Sequence, residues 1–327
     1  MGKPERALVT GAGGFIGSHL VAFLKERGLW VRGVDVKQPE FQATSADEFL
    51  IRDLRRWENC REVVEGMDEV YSLAADMGGM GFISRNHATI MRNNGLIDLH
   101  MLEAARDAAV SRYLYTSSAC IYPEHLQTMT NVRPLREEDA YPAAPQDAYG
   151  WEKLMAERAC LYFSEEFRLP TRIVRFHNIY GPRGTFEGGR EKAPAALCRK
   201  VAMTEDGGSI ELWGDGDQTR SFCYIDDCIE GIYRVMRSDH SAPLNLGTDR
   251  LVSINELAEM VIRISGKHLT IEHVDGPQGV RGRNSDNTQL LRTLGWEPAT
   301  SLEDGVAATY EWIAEQVAPM VRALAIA

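Results

Sequence analysis

Tyr149 and Lys153 lie four residues apart in Tyr149-Gly150-Trp151-Glu152-Lys153, ahead of apolar positions at Leu154, Ala156, Cys160 and Phe163. Helical residues four apart share a face, so this stretch presents a phenol and an ammonium together. A nearby cation favours the phenolate, which equips the tyrosine for proton transfer at neutral pH. Such a pair also occurs on ordinary solvated helix faces. The elements that precede it decide between the two readings.

Those elements begin with a short apolar strand, Ala7-Leu8-Val9-Thr10, followed by Gly11-Ala12-Gly13-Gly14-Phe15-Ile16-Gly17. A helical pattern through Ile16, Leu20, Phe23 and Leu24 ends at Gly28, and a second strand, 30–34, carries Asp35 at its tip. Strand, glycine-rich turn, helix, strand and acid in this order are a dinucleotide-binding unit. The glycines let the backbone and a helix N-terminus approach a pyrophosphate, and the carboxylate accepts hydrogen bonds from the adenosine ribose. Asp35 would repel a 2′-phosphate, so the expected cofactor is NAD, although Lys37 softens that preference. The expected cofactor contacts are Gly11, Gly14, Phe15, Ile16, Gly17, Asp35, Asp53 and Ala74.

Composition narrows the class. The 327 residues are 44% hydrophobic and 25% charged, as in a soluble globular protein of one large or two modest domains. A net charge of −11 argues against a general nucleic-acid or anionic-membrane binder but leaves room for an anionic small molecule. The six cysteines lack metal-type spacing and the histidines are scattered, so no metal is expected. The opening residues show no apolar signal region, which makes a cytoplasmic location the simplest expectation.

Farther along, strands are expected over 48–54, ending near Asp53, which is placed to reach the adenine, and over 69–73, 112–116 and 171–176. Alternation with helices implies a doubly wound α/β parallel sheet. Met77-Gly78-Gly79-Met80-Gly81 reads as a mobile, substrate-facing loop or a structureless connector. The tract 186–194 is too rich in glycine and charge for a core element, and Pro194 suits the first turn of a helix over 193–203. That places Lys192 just ahead of a helix start, aimed into the cleft. Ser253 and Glu256 form a capping box. Gly279–Asp286 sets Arg281 and Arg283 in flexible backbone, where guanidinium forks suit a diphosphate. The expected organisation is a nucleotide domain over 1–178, rejoined by 218–247, and a smaller α/β substrate domain over 179–217 and 248–327.

The Gly11, Gly14, Gly17 spacing together with Tyr149 and Lys153 resembles the extended short-chain dehydrogenase/reductase family over essentially the whole chain. The resemblance implies a Rossmann fold, a nucleotide-sugar substrate and a hydrogen bond from Ser118 to the reacting hydroxyl. It also implies that the helices over 87–109 and from Tyr149 pack in a homodimer; the sequence alone fits burial within one subunit equally well. Where 4-epimerases of this family carry Thr or Ser, and 4,6-dehydratases a nearby Asp-Glu pair, this chain has Cys120. A buried filler role is the plainer reading of any cysteine, but position 120 points toward the reacting face.

Tyr149, Lys153, Ser118 and NAD suffice to oxidise a carbinol. Cys120 and Lys192 are additional proton-transfer groups. A ketone at ring carbon 4 acidifies carbons 3 and 5, and inverting such a centre needs a base on one face and an acid on the other. The stretches 75–83, 117–124, 175–182, 188–194, 214–222 and 279–286 resemble the GDP-mannose 3,5-epimerases. That likeness implies Cys120 and Lys192 as the acid/base pair, with GDP-mannose and related GDP-hexoses as ligands. It implies substrate contacts at Gly78, Ser118, Cys120, Asn178, Glu191, Lys192, Ala193, Lys200, Gln218, Arg220 and Arg283. Another nucleotide-sugar 4-epimerase or 4,6-dehydratase is the alternative, and a non-catalytic NAD-sensing protein a more distant one.

Overall fold

Seven strands build one parallel sheet in the computed structural model, which describes residues 4–277 and 279–324. They are β1 (Arg6–Thr10), β2 (Trp30–Asp35), β3 (Glu48–Ile51), β4 (Glu69–Ser72), β5 (Arg112–Ser118), β6 (Thr171–Phe176) and β7 (Pro243–Leu246). Their spatial order is β3-β2-β1-β4-β5-β6-β7. The chain builds outward to one edge and then, from β4, to the other. The crevice where that direction reverses, beside the C-terminal ends of β1 and β4, is where open α/β sheets bind ligands. The expected doubly wound sheet is borne out.

The strands are short apolar runs because both faces are covered. On one face lie α1 (Phe15–Glu26) and, later in the chain, the helix Ile225–Arg237; on the other lie α2 (Trp57–Val64), the long helix His87–Asp107 and the helix Ala148–Phe167. Numbered in chain order, the short helix Met80–Ile83 is α3, His87–Asp107 is α4, Ala148–Phe167 is α5, Ala193–Met203 is α6 and Ile225–Arg237 is α7. Ile225, Cys228, Ile229, Ile232, Val235 and Met236 recur at helical spacing and are all buried, giving α7 one continuous apolar stripe. The remaining helices are α8 (Ile254–Ser265), α9 (Thr288–Leu294) and α10 (Leu302–Leu324).

A second core forms where α6, α8 and α10 pack beside a parallel pair of strands, Ser209–Trp213 with Thr270–Val274. Ser253 caps α8 in a capping box with Glu256, as its sequence predicts. The tract after β6 differs from expectation: Phe186 is buried in this second core, stacked on Phe41 and edge-on to Trp312. The surrounding glycines and charges hide one aromatic anchor. Strand β3 also ends at Ile51 rather than near Asp53, because Asp53 turns back to its own Arg55.

The β1–α1 turn tolerates no side chain at its tightest point. A Cβ on Gly17 would stand 2.1 Å from the Gly11 carbonyl oxygen. Replacing Gly17 with Ala is therefore expected to lower stability by about 2 kcal/mol or more, read as a shift in the urea midpoint. An unchanged midpoint would contradict this packing.

Candidate active site

The β1–α1 loop makes the first wall of the site. Gly11 adopts φ 71°, and Gly14 precedes a first helical turn that has no side-chain cap. The leading amides of α1, from Phe15 and Ile16 onward, are thus presented at a helix N-terminus, which favours an anion. Asp35 closes the loop: its carboxylate accepts from the amides of Gly13 (3.0 Å), Val36 (2.6 Å) and Lys37 (3.3 Å). Burial raises its pKa while those three amides and the Lys37 ammonium oppose the rise. A Cβ on Gly13 would lie 2.2 Å from the Lys37 carbonyl oxygen, so Gly13, absent from the expected set, is as constrained as its neighbours. Ala74 donates its amide to Thr10 Oγ1 at 3.1 Å and borders Gly11. This side-chain-free cradle, with a carboxylate at the end of β2, fits a dinucleotide: the loop would hold the pyrophosphate and Asp35 the ribose. Asp53 is instead engaged by Arg55, at 2.7 Å.

The second wall is the end of β5. Ser118 Oγ accepts the amide of Cys120 at 3.2 Å and caps a short 3₁₀ turn that carries the sulfur outward. Asp147 caps α5, accepting from the Gly150 amide at 2.9 Å. A Cβ on Gly150 would come within 2.2 Å of the Cys120 carbonyl oxygen, so the first turn of α5 lies directly on this backbone. The approach brings the Tyr149 phenol beside Ser118, and Tyr149 packs with Ile83 and Ile90 in a cluster that Cys120 also touches.

Lys153 is buried at 2% exposure, its Nζ 5.9 Å from the centre of the Tyr149 ring and donating to Tyr115 Oη at 3.0 Å. The phenol differs from expectation. Burial pushes its pKa up, and Lys153 and Ser118 only oppose that rise. The lysine limits the cost of ionising a desolvated tyrosine and does not by itself produce a phenolate.

Cations line the opposite side. Arg283 is buried, donating from Nε to Gln127 Oε1 at 2.5 Å and from Nη1 to Cys120 Sγ at 3.3 Å. Arg220 donates to the carbonyls of Thr219 and Val280, and burial together with Arg283 pushes its guanidinium down to about 9. Lys192 stands at the N-cap of α6 with Ala193 beginning the helix. Its side chain is solvent-exposed by area yet has protein packed densely around it. This crowding lowers its pKa, while the Cys120 charge, within electrostatic reach, opposes the fall. The thiol thus lies beside the Arg283 guanidinium, with Arg220 and Lys192 within electrostatic reach.

The remaining expected contacts are placed less uniformly. Residues Met80–Ile83 after the glycine-rich stretch are helical, and the Gly79 amide donates to the Arg190 carbonyl at 3.1 Å, so this is a structured loop and not a slack connector. Gly78 packs against Phe82 and Arg190, and Arg190, absent from the expected set, ties the loop through Met77 O and Asp76. Glu191 and Gln218 each keep one buried oxygen without a partner. Asn178 donates to the Ser221 carbonyl at 2.8 Å, and Lys200 to the Glu211 carbonyl at 2.5 Å. Arg281 differs from expectation: Asp215 holds it at 2.6 Å, and Arg283 beside it lies on a short strand paired with Thr219–Arg220. Gln127, which anchors Arg283, sits in irregular chain without a motif to announce it. Among the described residues no group of His, Cys, Asp and Glu is placed to hold a metal ion.

A dinucleotide cradle, a buried Tyr–Lys pair, a thiol and a cleft ammonium together can oxidise a hydroxyl and move protons beside the resulting carbonyl. Comparison with known proteins agrees. The model of a family described as the NAD dependent epimerase/dehydratase family matches residues 7–247. A GDP-mannose 3,5-epimerase of Arabidopsis thaliana is 53% identical over 94% of this chain and 82% of its own. GDP-mannose 3,5-epimerase 1 of Oryza sativa subsp. japonica is 52% identical, over 95% and 82%. Among solved structures, a UDP-glucose 4-epimerase from Thermotoga maritima, determined with UDP-glucose, superposes with a TM-score of 0.87 at 26% identity, covering 95% of this chain and 99% of that one.

The cysteines separate cleanly by access: Cys120 is part-exposed and the other five are buried. Brief treatment of the native protein with iodoacetamide is expected to label Cys120 alone, read by peptide mass spectrometry. Replacing Arg283 with Met should slow that labelling by removing the cation on its sulfur. Faster labelling at any other cysteine, or a rate indifferent to Arg283, would contradict this geometry.

Proposed function

The chain belongs to the NAD dependent epimerase/dehydratase family, and from that premise we propose that it is a GDP-mannose 3,5-epimerase. It converts GDP-mannose to GDP-L-galactose, and to GDP-L-gulose where only carbon 5 inverts, through transient oxidation at carbon 4. The observation that carries this reading is Cys120, with Arg283 on its sulfur, in electrostatic reach of Lys192 and beside the Tyr149 phenol. Simple oxidation or 4-epimerisation has no use for the thiol and the cleft ammonium. The identity of 52–53% to two plant GDP-mannose 3,5-epimerases supports it.

NAD, when bound in the Gly11–Gly17 cradle, supplies the oxidising and re-reducing equivalent at carbon 4. Tyr149 Oη takes the proton of the carbon-4 hydroxyl and later returns it, with Ser118 Oγ hydrogen-bonding that hydroxyl. Lys153 holds positive charge behind the phenol. The carbon-4 carbonyl acidifies the hydrogens at carbons 5 and 3. Cys120 Sγ removes such a proton from one face of the ring, and Lys192 Nζ delivers one to the other. Arg220 and Arg283 concentrate positive charge where the diphosphate enters, in a protein that is acidic overall.

The reading extends to assembly and location. Met91 and Leu99 on α4 and Trp151, Met155 and Tyr162 on α5 are 43–51% exposed, and this apolar surface supports a homodimer formed across the two helices. Six free cysteines support a reducing, cytoplasmic setting.

With GDP-mannose in heavy water, deuterium is expected at carbons 5 and 3; a product without it removes the epimerase reading. Replacing Cys120 with Ala should lower that exchange on the order of 100-fold or more while leaving NAD binding unchanged, and normal exchange in this variant would exclude the thiol. Lys192 must be protonated to act as acid, and its surroundings lower its pKa. The alkaline limb of kcat should therefore fall below about 10.4, the ordinary lysine value. A limb at or above that value would contradict the assignment.

A further inference from the structure

Behind the Tyr149–Lys153 pair, two carboxyl side chains that the chemistry above does not use are sealed between α4 and α5. Asp98 is 1% exposed and Glu152 0%. Each has one oxygen with a partner: Asp98 Oδ2 accepts from Tyr115 Oη at 3.0 Å, and Glu152 Oε2 accepts from Asn94 Nδ2 at 3.1 Å. Tyr115 Oη in turn accepts from Lys153 Nζ at 3.0 Å. The other oxygens, Asp98 Oδ1 and Glu152 Oε1, are buried without a hydrogen-bond partner. Asn94, which bonds Glu152, lies one turn before Asp98 on α4, so the two carboxyls fall in the same layer of the α4–α5 packing, and Asp98 acts electrostatically on Glu152.

Two ionised carboxylates here would leave two orphaned acceptors and place a charge of −2 against one ammonium in desolvated surroundings, an arrangement that is strongly disfavoured. One proton between the carboxyls supplies the missing donor and the missing charge at once. We propose that Asp98 and Glu152 share a single proton, so that the pair presents one negative charge that keeps Lys153 protonated and positioned behind Tyr149.

The groups facing this pair are few. From α5 they are Lys153, Tyr149 and Cys160; from β5 they are Tyr113 and Tyr115. The loop after β4 contributes Asp76, whose amide donates to Asn94 Oδ1 at 2.6 Å and whose carboxylate is held by Asn93 and Arg190. Lys153 reaches the pair through the Tyr115 hydroxyl, which accepts from its ammonium and donates to Asp98. Burial raises the pKa of Glu152, with Lys153 opposing and Asp98 reinforcing the rise. Burial lowers that of Lys153, but Asp98, Glu152 and Tyr149 more than restore it. A second negative charge would cancel the field with which Lys153 assists ionisation of Tyr149, whereas no negative charge would let the buried ammonium lose its proton. Asp98 and Glu152 are positioning residues, acting on the reaction through Lys153.

The proposal rests on the roles given above to Tyr149 and Lys153, and its first test needs neither substrate nor turnover. Infrared difference spectra of the purified protein at neutral pH should contain the band of a protonated buried carboxylic acid. That band should vanish in Glu152→Gln and equally in Asp98→Asn. Its absence from the wild type, or its survival in either single variant, overturns the shared proton whatever the enzyme turns over. In kinetics, each single amide keeps one negative charge and should hold kcat within about threefold with an unshifted pH profile. The double variant keeps none and should lose on the order of 100-fold, with the profile displaced. Single losses that merely multiply in the double variant, with no displacement, would mark the pair as structural and overturn the charge-setting role. An enzyme that fails to epimerise at all, yet shows the expected spectra, would instead count against the proposed reaction.

Discussion

The first turn of α5 rests on the carbonyl of Cys120 with no space for a side chain between them, and the site depends on that contact. A Cβ on Gly150 would lie 2.2 Å from the Cys120 oxygen and 2.8 Å from Pro145. Because the two backbones touch, the phenol that serves carbon 4 and the thiol assigned to its neighbours are held at one end of β5. Asp147 fixes where the helix begins, and Ser118 fixes the turn that carries the sulfur. A register shift of one residue in either element would separate the two chemistries.

Electrostatics then divide the site into two compartments. On the phenol side one ammonium is buried among carboxyls, so positive charge is held in place and insulated from water. On the thiol side Arg220 and Arg283 lie together and Lys192 is in electrostatic reach of the same sulfur, so positive charge is in excess and suited to an anionic ligand. An acidic protein contains both because the cations are local: Gln127 and two backbone carbonyls hold the guanidiniums. The Asp215 and Asp217 carboxylates are occupied with Arg281 at the rim.

What the sequence made legible follows from whether a local rule or a long-range contact sets each feature. The bounds of α6 and α9 could be read residue by residue because Pro194 and Gly295 punctuate them. The sheet and its dinucleotide loop followed from alternation and glycine spacing. Strand β3 was over-extended because no glycine or proline interrupts 48–54, whereas the bond of Asp53 to Arg55 turns the chain after Ile51. Phe186 was missed because its neighbours are glycines and charges, and its partners, Phe41 and Trp312, are distant in sequence. Arg281 and Arg283 look alike on paper. An aspartate holds one and a buried glutamine aims the other at a sulfur. Nothing local marks Asp98 and Glu152, because only the packing of α4 on α5 buries them.

The proposed chemistry requires a sulfur and an amine on opposite faces of one hexose whose carbon 4 lies at the phenol. The most direct measurement is a crystal structure of the Cys120→Ala variant with NAD and GDP-mannose bound. The carbon-4 hydroxyl is expected within hydrogen-bonding distance of Tyr149, with residue 120 and Lys192 on opposite sides of the ring near carbons 5 and 3. A hexose seated with both residues on one face, or with Lys192 turned away from the ring, would contradict it.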